Sequence, residues 1–276
     1  MEVMMIYKSI AYSIAFLISF TLFIHVMSYK KCASSKHSFE EMVQHYTQVH
    51  DTALIRIKND FKIKDRIWDA YLSAFKKIVQ NDDLLTQPGH FRKSTEDNLV
   101  KIAQQALIEY GLNPEKVVLR LVKKSDVPAQ AIQELDDLKR IRHILELNLQ
   151  WLSEYDIAMQ EAIIRHEIVH LLYYDSLEAS YVLHMLYQKG YSKKQCDKHP
   201  AIIAYRHQRE LRADALACGD NSVRIKAFQS YFSCFIPLED QENPELWRSH
   251  PSDKVRYQEL AQLLPTSLNG SSSQLA

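Results

Sequence analysis

The chain has 276 residues, 46% hydrophobic and 25% charged, with 34 Lys and Arg against 34 Asp and Glu for a formal net charge of zero. That apolar content supports a buried core and excludes a disordered chain, and the charge balance removes the bulk electrostatic case for nucleic acid as a partner. Only 5 Gly, with frequent Leu, Ile, Gln, Glu and Lys, favours a helix-rich fold.

Residues 1–36 read as a membrane anchor. Between Ser9 and Tyr29 runs IAYSIAFLISFTLFIHVM, an apolar stretch long enough to cross about 30 Å of hydrocarbon as a helix. A cleaved signal peptide is the rival, but Lys30 and Lys31 follow directly and no A-x-A site precedes them. The side of the membrane stays open. Lys30, Lys31 and Lys36 outnumber Lys8 and favour a cytoplasmic body, whereas a single Lys ahead of an apolar run is also how exported segments begin. The cysteines Cys32, Cys196, Cys218 and Cys234 lack CxxC spacing and read as small apolar fillers.

Residues 37–111 are expected to form a helical extension. From Ser38 to Leu85, Phe39, Met42, Val43, Tyr46, Ile55, Ile57, Phe61, Ile63, Ile67, Trp68, Tyr71, Leu72, Phe75 and Ile78 recur at helical spacing, which predicts two or three amphipathic helices packed on the rest of the chain. A loop from Asn81 to Thr95 with Pro88-Gly89 leads to a helix over 96–110, broken by Gly111-Leu112-Asn113-Pro114. Val117–Val122 and His143–Leu149 then read as strands.

The run Arg165-His166-Glu167-Ile168-Val169-His170-Leu171 carries the chemistry. On a helix, His166 and His170 stand one turn apart on one face, the spacing two imidazoles need to bind one ion, with Glu167 beside them to work on a water. This is the HExxH signature of zinc metalloproteases, and its apolar flanks suit a helix buried on both sides. A catalytic zinc needs a third protein ligand and an open fourth position. Glu210 and Asp214 are one turn apart in a second helical segment, so one can bind metal while the other holds the free nitrogen of a ligand histidine. Ala213, Ala215 and Ala217 beside them let two helices approach closely. His184, His199 and His207 read as structural or solvated.

HEIVH, then ELRADALA, then Ser249-His250-Pro251 with Arg256 downstream, resembles the HtpX and CAAX prenyl protease (Oma-type) family of gluzincin metallopeptidases over about Lys116 to Leu263. The resemblance implies a mostly helical α+β zincin domain over 112–264, with a small sheet beside the HExxH helix; residues 265–276 are expected to form a disordered tail. It implies one zinc ion held by His166, His170 and Glu210, Glu167 as general base, Asp214 supporting a ligand imidazole, and His250 stabilising the oxyanion. His207 stands where the family tends to place an arginine, and the interval from HExxH to Glu210 is short for it. His170-x4-Asp175, His199-Pro200 and Arg209-Glu210-x3-Asp214 also resemble the BlaR-type sensor metallopeptidases, whose members pass the membrane several times against the single pass expected here.

The expected activity is hydrolysis of peptide bonds in membrane or envelope proteins; the resemblance implies that protein or peptide substrates are held by main-chain hydrogen bonds along a strand near the HExxH helix, the alternative being an edge strand that only completes a small sheet. The alternative is a catalytically silent gluzincin-like module that binds partners or acts as a chaperone through the helical extension.

Overall fold

The computed structural model describes residues 39–84, 98–123, 125–136, 140–239 and 250–264. The apolar run at 9–29, most of the Pro88-Gly89 loop and the tail at 265–276 lie outside them. No helix among the described residues is long and apolar enough to cross a membrane. The chain forms α1 (Phe39–Asp60), α2 (Asp65–Gln80), α3 (Asn98–Glu109), a 3-10 turn at Pro114–Lys116, β1 (Val117–Val122), β2 (Ala129–Leu135), β3 (Ile141–Asn148) and α4 (Leu149–Ser153). Then follow α5 (Ile157–Leu172), α6 (Asp175–Gln188), α7 (Lys193–Lys198), α8 (Pro200–Cys218), α9 (Ser222–Glu239) and α10 (Asp253–Gln262). The result is an α+β fold, mostly helical, with one small sheet.

Three helices, α1, α2 and α3, lie within the expected extension. α1 buries Met42, Tyr46, His50, Ala53, Leu54 and Ile57, a stripe of one helical period. Ile55, counted in the expected stripe, lies off that face and is exposed, as is Ile67 beside the buried Trp68. α1 packs along α8, and Met42 and Tyr46 share one core with α3, the sheet, α5, α8 and α9. A second core gathers Phe61 and Trp68 with Val182, Leu186, Cys196 and Tyr205. The three described cysteines are free; Cys196 and Cys218 fill core positions and Cys234 is exposed.

The sheet has the order β1-β3-β2. β1 lies parallel to β3, with Val117 opposite His143, and β2 lies antiparallel to β3, with Ala131 opposite Leu145. Both strands read from the sequence are present, but the strand between them, β2, is new. AQAIQEL has few β-branched or aromatic residues to signal a strand; its burial nonetheless alternates, with Ala129, Ala131 and Gln133 inward. β3 is therefore central, and β2 is the edge that packs on α5 and α6.

α5 begins at Asp156, whose side chain accepts a hydrogen bond from Met159 N at 2.8 Å. It is apolar nearly all round and correspondingly buried. It stops because Tyr174 turns left-handed, at φ 56 and ψ 33. That conformation costs a residue other than glycine about 1–2 kcal/mol. The buried Tyr174 offsets the cost through a 2.7 Å hydrogen bond from its hydroxyl to Asp82, which also contacts His143 Nε2 at 2.7 Å. α8 starts at Pro200, capped by His199, and ends at Gly219, whose φ of 55 favours glycine. Its buried Ala213, Ala215 and Ala217 add little bulk where it meets α1 and α5.

Two buried carboxylates tie these elements by charge. Burial alone would raise Asp82, but hydrogen bonds from His143 and Tyr174 outweigh it and hold its pKa below the ordinary value. Glu178 follows the same pattern, lowered by His50 and Tyr205, each 2.8 Å from its Oε2. A lowered folded-state pKa gives stability that is complete above the unfolded value, near 4, and is lost as pH falls through the folded value. Denaturant unfolding from pH 7 to pH 2.5 should therefore show stability dropping below about pH 4. The drop should be shallower in the Asp82→Asn/Glu178→Gln double variant. An unchanged slope would mean that these pairs carry none of the pH dependence.

Candidate metal centre

α5 and α8 bring three side chains to one point. His166 and His170 project one turn apart from α5, and Glu210 faces them from α8. His166 Nε2 lies 3.0 Å from His170 Nε2 and 3.3 Å from Glu210 Oε2, and His170 Nε2 lies 3.6 Å from Glu210 Oε1. Ligands about 2.05 Å from a tetrahedral zinc stand about 3.3 Å apart. The three separations bracket that figure, so these residues fit a tetrahedral metal with one position left over.

The outer nitrogens account for how both inner ones can serve as acceptors for a metal. Asp175 Oδ2 lies 2.7 Å from His170 Nδ1, and Asp214 Oδ1 lies 2.9 Å from His166 Nδ1, off the line of the N–H bond. A carboxylate at Nδ1 keeps the proton there and leaves Nε2 with its lone pair. Two such nitrogens 3.0 Å apart, with a carboxylate beside them, favour a positive charge between them. The same field acts on protons: burial would lower His166, but Asp214 and Glu210 outweigh it and raise its pKa to about 10.

Arginines keep the outer carboxylates charged. Arg256 bonds both oxygens of Asp214, at 2.6 and 2.7 Å, and its guanidinium stacks 4.4 Å over Phe232. Arg212 hydrogen-bonds Asp175 and lies 4.1 Å over Tyr173, with Arg209 Nε 3.6 Å from the same Asp175 oxygen. Burial opposes ionisation of Asp175, yet these two guanidiniums hold its carboxyl far below the usual range. Glu210 is held well below its ordinary value in the same sense, burial being outweighed by His170 and His166.

Glu167 stands next to His166 and meets the sheet. Its Oε2 accepts a 2.7 Å hydrogen bond from Ala131 N on β2, and burial raises its pKa. Ala131 O in turn accepts from Ser176 Oγ at 3.2 Å, so this residue turns its main-chain groups away from β3 and toward α5 and α6. His250 comes to the rim: its Nε2 lies 3.7 Å from Glu210 Oε2 and its side chain is 55% exposed. His199 caps α8 and stacks 4.1 Å from Phe61, and His184 contacts Gln188, as structural histidines do.

All six residues singled out from the sequence, His166, Glu167, His170, Glu210, Asp214 and His250, thus stand in one cluster. Sequence reasoning gave no role to Asp175, Arg212, Arg256 or Ala131. Asp175 was visible as a carboxylate five positions after His170 and Arg256 as an arginine six after His250, but only the fold pairs them with the site. The chain matches no protein-family model, no curated protein and no solved structure.

Because the triad has no fourth protein ligand among the described residues, each member is needed. His166→Ala and His170→Ala should each abolish stoichiometric metal uptake, measured by elemental analysis of the purified chain. Full metal content in both variants would refute the site.

Proposed function

We propose that the chain is a zinc-dependent metalloendopeptidase of the gluzincin kind, tethered to a membrane by residues 1–36 and acting on membrane or envelope proteins. The observation that carries this reading is the convergence of His166, His170 and Glu210, at separations that suit a tetrahedral ion, beside a buried carboxylate that is not one of the three. A nitrogen, nitrogen and oxygen donor set suits zinc, which when bound supplies an acidified water and polarises the scissile carbonyl.

The chain's own residues divide the remaining work. Glu167 takes the proton of the attacking water and returns it to the leaving amine; its burial raises its proton affinity, which suits a base operating near neutral pH. His250, at the open rim, donates to the carbonyl oxygen as negative charge develops there. β2 holds the substrate. Ala131 spends its outward main-chain groups on Glu167 and Ser176, and the alternation of an antiparallel strand turns Ala129 and Gln133 the same way, so it is these two residues that offer main-chain groups to an extended peptide. Asp214 and Asp175 keep the histidines in the tautomer that the metal needs.

Glu167→Gln separates chemistry from binding, since it preserves shape and removes the base. Zinc content should stay at one per chain, while hydrolysis of a casein-type substrate falls by about 10²–10⁴-fold. Undiminished turnover would assign the proton transfer to another group.

A further inference from the structure

We propose that Asp175, more than Asp214, is the positioning residue of the metal site, acting through His170. This rests on the reading of His166, His170 and Glu210 as zinc ligands.

The two supporting carboxylates are not equivalent. Asp214 gives both oxygens to Arg256, at 2.6 and 2.7 Å, and the oxygen that also faces His166 lies off the N–H line. Its charge is largely committed to the guanidinium. Asp175 divides its oxygens. Oδ1 takes Arg212 and Arg209, while Oδ2 is left to His170 in an aligned contact of 2.7 Å. An undivided charged acceptor fixes both the plane of the imidazole and its tautomer.

Partners and backbone add to the difference. Asp175 and Asp214 are equally buried, at 0% and 2% exposed, but the side chain of Arg212 is 3% exposed against 13% for Arg256, and the deeper ion pair is screened less by water. Asp175 is also the first residue of α6, five positions from His170, across a turn locked by left-handed Tyr174 and its bond to Asp82. Asp214 reaches His166 only through the packing of α8 on α5. His170 is therefore held by a short rigid turn, and His166 by the adjustable fit of two helices.

The test uses the full chain and competition for zinc with a chelating indicator. Asp175→Asn, which keeps shape but loses charge, should weaken zinc about 10–100-fold, and Asp214→Asn should weaken it several-fold less. The visible absorption of the Co²⁺-substituted protein should shift in Asp175→Asn and stay near wild type in Asp214→Asn, a readout that lost stability alone does not move. Asp175→Asn leaves Arg212 short of a partner and can impair folding. The Asp175→Asn/Arg212→Met double variant removes that charge and should fold, yet bind zinc as weakly as the single variant. Wild-type affinity in the double variant, or a larger loss in Asp214→Asn than in Asp175→Asn, would overturn this role alone. A wild-type chain that takes up no zinc would overturn it together with the site.

Discussion

Two imidazole nitrogens and a carboxylate brought within 3.0–3.6 Å of one another deep in a helical core are the constraint on which the rest of the fold depends. Electron pairs at that spacing repel unless positive charge lies among them. Each element near the site either forces the approach or pays down its electrostatic cost. α5 supplies the histidines on one face and is buried on the others, and α8, which packs on α5, carries Glu210 to them. α1 packs along α8, so the segment read as an extension helps to set where Glu210 stands.

Charge neutralisation is the second layer. Asp175 and Asp214 lie in the interior, where an unpaired carboxylate would lose ionisation rather than stay charged. Arg212 and Arg256 supply that pairing, and each guanidinium stacks on an aromatic ring, Tyr173 or Phe232, that excludes water from it. Such buried pairs contribute little net stability over an apolar replacement. Their retention makes sense as a means of holding two imidazoles in one tautomer and one plane, which an apolar core cannot do.

What the sequence made legible was local. His166 and His170, or Glu210 and Asp214, are one helical turn apart, so their shared face follows from the period alone. The helix break at Gly111 is equally local. Pairings between elements were not legible. Asp175 to Arg212 and Asp214 to Arg256 join residues 37 and 42 positions apart, and no spacing encodes them. β2 escaped notice because Ala and Gln fill its inward positions. Those small or polar side chains suit a strand pressed against α5, where Gln133 donates to Leu171 O at 2.9 Å. Its edge position, beside Glu167, could be read only from the pairing with β3.

X-ray absorption of the zinc-loaded full chain tests the central claim most directly, because it reports the atoms bound to the ion. The account predicts four light-atom neighbours at about 2.0–2.2 Å, with the multiple-scattering pattern of two imidazoles. Sulfur at about 2.3 Å, or a shell with fewer than two imidazoles, would contradict a site built from His166, His170 and Glu210.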